Sequence, residues 1–309
     1  MVMSDLRSCL PSFFVVGTQK AGTTTLYNML LSTGKVSLPV TKETHFFNDV
    51  SRYEKGVEWY LQQFSKDDKG MVVGEIDPDY MFFQESALRI KKTINIPRFV
   101  FILREPVMRA YSHYLMSCRR GYECLSFKEA LEVEDSRLSV QDNMFPLKHH
   151  SYIARGLYSE QIRSFRKVFP GSSMLFIKFD DLFDPETKFK TFIEICDFIG
   201  ARDVMEVDLD VQSNRSSEPR SILVRKLLYG ESLLKKIVGK LLFSRFVRIK
   251  VFRLIENMNL RTTAKDESGK VISEVPVEIR QKIKHDLNEV ESLTSLDLSS
   301  WKELLDNKL

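Results

Sequence analysis

The 309-residue chain contains four cysteines. Cys9, Cys118, Cys124 and Cys196 are irregularly spaced, with no C-x-x-C pair and no histidine at metal-ligand spacing. This argues against a cysteine metal cluster and predicts reduced thiols. Only Cys118 and Cys124 are near enough in sequence to invite a disulfide. No uncharged apolar run approaches the roughly 18 residues of a membrane span. The N-terminus lacks a basic, then apolar, then small-residue signal. The expectation is a soluble cytoplasmic chain without a transmembrane segment. The net charge of +4 is far from the strongly basic balance of a nucleic-acid binder, so no nucleic-acid partner is expected. There is no internal repeat and no low-complexity stretch. The sequence does have 43% apolar and 28% charged residues, enough for one large α/β domain or two small ones with a buried core.

Four short apolar runs read as core strands: 12–17 (SFFVVG), 71–76 (MVVGEI), 98–104 (RFVFILR) and 173–182 (SMLFIKFDDL). Helical stretches lie among them. TTTLYNMLLST places Leu26, Met29 and Leu30 at helical spacing and meets a stop at Gly34. SALRIKKTI, PVMRAYSHYLMSC and LYSEQIRSFRKVF follow. Strands separated by helices predict a parallel sheet with helices on both faces. From 220 to 256 the composition turns basic, with ten Lys or Arg against Glu231 and Glu256. That stretch reads as one or two basic amphipathic helices, packed with a solvated face or touching an acidic polymer or anionic membrane. The segment beginning VPVEIRQKIKHDLNEVE reads as a last helix and tail.

The strongest local signal is Gly17–Thr25, G-T-Q-K-A-G-T-T-T, between the first strand and the first helix. Its two glycines let the chain curl so that successive N–H groups point inward, and the following helix N-terminus adds its dipole. A nucleoside-triphosphate loop places a lysine directly after the second glycine. Here that position is Thr23, and the lysine stands earlier, at Lys20. From there it can reach a terminal group or a bridging oxygen without a metal completing the cradle. No strand end offers a strong second Mg²⁺ ligand, so no metal is expected.

FFVVGTQKAGTTTL resembles the 5′-phosphosulfate loop of sulfotransferases that use 3′-phosphoadenosine 5′-phosphosulfate (PAPS). FVFILREPVMRAYSHYL (99–115) resembles the 3′-phosphate site of the same family, with Arg104 at a strand end and Ser112 eight residues on. Arg104 can fork two donors onto a phosphate, and Ser112 adds a hydroxyl. TKETHFFND (41–49) resembles the K-E-x-H-F-F segment of the heparan-sulfate group and its bacterial-type relatives. The likeness extends loosely through 155–170 (RGLYSEQIRSFRKVFP) and, by pattern, most of the chain. It implies a P-loop-like three-layer α/β fold, with a central parallel sheet flanked by helices and a C-terminal helical extension. Residues 1–309 would form one sulfotransferase domain.

The resemblance implies sulfuryl transfer from PAPS to a hydroxyl or amine; the THFF segment favours a saccharide acceptor, with lipid-linked and small secondary-metabolite acceptors left open. Thr18, Gln19, Lys20, Ala21, Gly22, Thr23, Thr24 and Thr25 would hold the 5′-phosphosulfate, and Lys20 would steady the charge on the bridging oxygen. Arg104 and Ser112 would anchor the 3′-phosphate. Tyr158 reads as an adenine or ribose contact or as a core tyrosine. Asn214 and Arg220, in 213–221, read as nucleotide contacts or as part of a polar loop. Glu43 is the implied general base, with His45 as rival base or orienting hydrogen-bonder. Lys42 is a surface charge or a holder of the sulfuryl group. Glu75, Asp77 and Asp79 line the cleft or form a structural turn around Pro78. Ile76 stands where carbohydrate enzymes of the family often place a lysine. Two other classes stay open: a nucleotide kinase or phosphotransferase, which Thr23 disfavours, and a non-catalytic module holding acidic polysaccharide.

Overall fold

The computed structural model describes residues 10–65, 70–140, 143–202, 204, 217–219, 260–262 and 268–306. The chain divides into two compact units. One comprises Met1–Pro106, Leu157–Ser213 and Gln281–Glu303, the other Val107–Gly156, Asn214–Arg280 and Leu304–Leu309. Asn214, Arg220, Cys9 and the basic stretch 220–256 lie outside the described residues.

The first unit is built on five strands: β1 (Phe13–Gly17), β2 (Val36–Ser37), β3 (Val72–Ile76), β4 (Arg98–Leu103) and β5 (Met174–Lys178). Their order is β2-β3-β1-β4-β5 and every pairing is parallel. The helices that matter for the site are α1 (Thr23–Ser32), α2 (Glu85–Thr93), α3 (Pro106–Arg119), α4 (Ser159–Val168), α5 (Phe179–Phe183), α6 (Lys188–Ile199) and α7 (Val277–Thr294).

Successive strand residues face opposite sides of a sheet, and here the two sides differ in kind. Phe13, Val15, Val100 and Ile102 face Leu26, Met29 and Leu30 of α1 and Phe192, Ile195, Cys196 and Ile199 of α6. Each large side chain buried there contributes about 2 kcal/mol of transfer free energy. The alternate residues form a phenyl-rich face. Phe14 stacks on Phe99 at 6.1 Å, and Phe165 of α4 meets Phe99 at 5.2 Å and Phe101 at 5.4 Å. Both faces are covered, which is why these strands read as continuous apolar runs.

Three expectations are corrected. The fourth strand ends at Lys178 rather than 182. Phe179, Leu182 and Phe183 have i, i+3, i+4 spacing and turn into α5, with Asp180 and Asp181 favoured in its first turn. The edge strand β2 spans two residues, too short to leave a pattern in the sequence. The C-terminal segment holds two helices, α7 and Ser299–Asp306, rather than a helix and tail. Cys118, Cys124 and Cys196 are free thiols. Among the described residues no helix is long and apolar enough to cross a membrane.

In the second unit, Glu123 lies beneath Arg137 (Nη1 to Oε2, 2.5 Å) and the Tyr152 hydroxyl (2.9 Å). Glu134 accepts the amides of Ile153 and Ala154, each at 2.8 Å. Ser217–Pro219 pairs antiparallel with Leu260–Thr262.

Strand order fixes where chemistry can occur. β1 lies between β3 and β4, so the chain segments leaving the carboxyl ends of all three strands converge at one edge. In open parallel sheets ligands bind at such a switch point. Loop 17–25, residues 75–81 and Arg104 all emerge there.

Candidate active site

The loop after β1 is tied down from inside. The Thr18 N–H donates to Ile102 O at 2.8 Å and the Ala21 N–H to Thr18 O at 3.1 Å. The Thr18 hydroxyl faces Met81 Sδ at 3.4 Å with 2% of the residue exposed, and Ala21 is fully buried. Thr18 and Ala21 therefore shape the loop, rather than offering groups to a ligand as the sequence implied. Gln19 Nε2 reaches Asp79 Oδ1 at 3.4 Å. Gly22 is the N-cap of α1, with φ 73° and no side chain capping the helix. A Cβ built on it would lie 2.3 Å from the Phe183 ring, so both conformation and space demand glycine. The first amides of α1, those of Thr23 and Thr24, have no carbonyl to reach within the helix. Thr24 is exposed, whereas Thr23 and Thr25 are buried at 5% and 7%. An uncapped helix start with exposed Thr24 and half-buried Lys20 is suited to an anion.

Arg104, one residue past β4, joins this loop. Its Nη1 donates to the Lys20 carbonyl at 2.8 Å and its guanidinium lies 4.5 Å from the Phe179 ring centre. Burial pushes its pKa down, while the charges of Glu105 and Asp180 act the other way. Among the described residues no protein acceptor takes Nε or Nη2. A desolvated guanidinium with two such N–H edges is a strong seat for a phosphate. Tyr158 is fully buried, and its hydroxyl donates to Arg104 O at 2.7 Å. Its backbone N–H is held by Asp286 Oδ2 of α7 at 2.7 Å. It leaves no surface for adenine or ribose; it is the core tyrosine that braces the strand end. Ser112 lies buried on α3 in the second unit, 5% exposed.

The 41–49 segment sits against the end of β3. Glu75 is fully buried, and three hydroxyls converge on its carboxylate: Thr44 Oγ1 at 2.5 Å, Tyr60 at 2.6 Å and Tyr80 at 3.0 Å. Burial pushes its pKa up to about 7, with the charge of Asp77 adding to the rise and the hydroxyls opposing it. Ile76 packs in the aliphatic face, so Glu75 and Asp77 on either side turn the other way. Asp77 Oδ2 accepts the His45 backbone N–H at 2.9 Å and lies 3.0 Å from ring Nδ1. The Nε2 of His45 is 3.9 Å from Glu43 Oε2, and Lys42 Nζ pairs with Glu43 Oε1. Lys42 is thus an ion-pair partner of the proposed base. Burial alone would lower the His45 pKa; the Asp77 hydrogen bond and the charges of Asp77, Asp79 and Glu43 outweigh it and hold it at about 9. A donor atom from each of His45, Asp77 and Asp79 lies within 4.8 Å of the others, as expected for carboxylates gathered around one imidazolium.

Positive φ in a non-glycine residue costs about 1 kcal/mol or more, and such residues cluster where function over-determines the backbone. Among the described residues four have it: Lys20 (75°), Glu43 (66°), His45 (51°) and Ser295 (62°). Three of these are the residues the sequence marks as catalytic. Sequence reasoning missed Thr44, Tyr60 and Tyr80 as the clasp on Glu75, and Asp77 as the partner of His45. The one available signal was the G-E-I-D-P-D-Y run, whose alternation at a strand end sends its acids to one side.

A five-stranded parallel sheet with a glycine loop at its switch point, an arginine at the next strand end and a strained 43–45 loop beside the end of β3 defines a P-loop-like α/β fold. The chain belongs to the sulfotransferase domain family, whose sequence profile matches residues 10–220. Heparan sulfate glucosamine 3-O-sulfotransferase 3B1 of Mus musculus is 28% identical over 197 residues, covering 63% of this chain and 47% of that protein. The membrane-associated sulfotransferase kil1 of Dictyostelium discoideum is 35% identical over 112 residues, covering 35% of this chain and 23% of that protein. The chain spans about half the length of the heparan sulfate relatives it matches. The crystal structure of a sulfotransferase from Alicyclobacillus acidocaldarius shares the fold, with a TM-score of 0.65 at 21% identity, covering 95% of this chain and 99% of that one.

Proposed function

We propose that this protein is a sulfotransferase that moves the sulfuryl group of PAPS to a hydroxyl or amine of a saccharide, as one domain over residues 1–309. One observation carries the reading most directly: Arg104 donates to the carbonyl of Lys20, tying two cations from different strand ends into one donor-side edge. A nucleotide carrying a phosphate at each end matches two such seats.

The uncapped start of α1, with Gly22, Thr23 and Thr24, holds the 5′-phosphate. The outer edges of Arg104 take the 3′-phosphate. Glu43 receives the acceptor proton as the new O–S or N–S bond forms and the S–O bond to the 5′-phosphate breaks. Lys20 meets the negative charge left on the bridging oxygen, a fixed electrostatic contribution of about 3–4 kcal/mol to the barrier. His45, held charged at neutral pH by Asp77, Asp79 and Glu43, is a poor proton acceptor there, which favours Glu43 as the base. The acceptor is a saccharide by analogy with relatives named for acting on heparan sulfate.

Ligand-induced thermal shift tests the donor. 3′-Phosphoadenosine 5′-phosphate should raise the melting temperature, and ATP with Mg²⁺ should not. The reverse pattern would replace a sulfotransferase with a kinase.

A further inference from the structure

The mechanism above uses Asp77 only for the charge it lends to His45, yet its side chain is fully buried, and a buried carboxylate must be satisfied by hydrogen bonds or charge. Oδ1 accepts the Asp79 N–H at 3.1 Å. Oδ2 is given over to His45, through the backbone N–H at 2.9 Å and ring Nδ1 at 3.0 Å. These two contacts fix different things. The first holds the main chain of His45 in its positive-φ conformation; the second fixes the rotation of the ring and puts a proton on Nδ1.

With Nδ1 turned inward, Nε2 is the edge that faces Glu43 Oε2, 3.9 Å away, on an imidazole 30% exposed. The charged groups facing the ring are Asp77, Asp79 and Glu43; Lys42 is paired with Glu43, and the Asn48 amide lies 3.5 Å from Nδ1. Each oxygen of Glu43 therefore faces a cation, Lys42 at Oε1 and His45 at Oε2.

We propose that Asp77 is a positioning residue for the acceptor side: by gripping both the main chain and the ring of His45, it presents a protonated Nε2 edge beside Glu43, so that base and fixed cation meet the acceptor together. His45 keeps its proton through the transfer, while Glu43 takes the one released by the acceptor. The inference rests on the sulfotransferase reading for the reaction, but the Asp77–His45 couple can be tested without it.

The experiment titrates the His45 ring by ¹⁵N–¹H NMR in the ligand-free protein, its signal assigned by loss in His45→Asn, alongside kinetics of Asp77→Asn. In the unsubstituted protein the midpoint should lie near 9, falling by about one pH unit or more in Asp77→Asn. In the variant kcat should drop about tenfold or more with the donor KM little changed, and the basic limb of the pH–kcat profile should move to lower pH. A merely structural Asp77 would reduce the active fraction and leave both the limb and the titration in place, which overturns the proposal. Should Asp77→Asn not fold, a His45 midpoint near the ordinary 6.5 in the unsubstituted protein overturns it equally. Absence of sulfuryl transfer to any acceptor would instead overturn the reaction, with the titration still deciding whether Asp77 holds His45.

Discussion

In the proposed reaction Lys20 and Arg104 divide the donor between them, and their substitutions should separate binding from chemistry. Lys20→Ala removes the charge at the bridging oxygen and should lower kcat by about 100-fold or more, with a much smaller effect on 3′-phosphoadenosine 5′-phosphate affinity measured by calorimetry. Near-normal sulfation by Lys20→Ala would sink the mechanism. Arg104→Ala removes charge-assisted bonds worth about 1.5–3 kcal/mol each and should raise the donor KM by about 10- to 100-fold. It also frees the Lys20 carbonyl, so a smaller fall in kcat should accompany it. Steady-state kinetics with varied donor distinguishes the two effects. Lys20, Glu43, Arg104 and Ser112 stand out in the sequence because each sits in a motif whose chemistry calls for that residue type, and the substitutions above test the roles proposed for Lys20 and Arg104. The positive φ at Lys20, Glu43 and His45 was not legible there, since nothing in a side chain's identity announces a strain imposed by its surroundings.

At the scale of elements, the loop between β1 and α1 keeps its shape because the Phe183 and Phe179 rings of α5 leave no room for a side chain at position 22. Gly22→Ala would place a Cβ 2.3 Å from the Phe183 ring at φ 73°. The clash and the left-handed backbone together should cost about 2–4 kcal/mol, read by urea denaturation, and donor binding should weaken with it. A variant as stable as the parent would mean that α5 does not close over the loop. The β1–loop–α1 unit was readable because its signals are local: an apolar run, two glycines and a helical repeat. Helix α5 was not, since Phe176 to Phe183 is equally apolar as strand or helix, and packing decided between them. Tyr158 illustrates the same limit. Its place beneath Arg104 depends on Asp286, 128 residues later.

Over the whole molecule, two groups of the site, buried Glu75 and half-buried His45, slope the stability in one direction. The Glu75 carboxyl has its pKa raised from 4.5 to about 7 by burial, so the folded state is penalised for ionising it and loses stability as pH rises through that window. His45 is raised from 6.5 to about 9; its stabilisation is full below about 6.5 and disappears as pH approaches 9. Above about pH 6.5 the melting temperature should therefore fall toward pH 9, and His45→Asn should flatten that fall in calorimetry. A melting temperature that rises between about pH 6.5 and 9 would contradict the ionisation states assigned to the site. The parallel sheet with its helices was foreseeable from strand–helix alternation, whereas the division into two units was not, because no linker composition marks it. The central claim is the transfer itself, and incubation with ³⁵S-labelled PAPS and a glycan library, followed by identification of the labelled product, tests it most directly. Labelled saccharide should appear together with an equal amount of 3′-phosphoadenosine 5′-phosphate, and neither should form with Lys20→Ala. No labelled product across the library, or equal labelling by Lys20→Ala, would contradict the account.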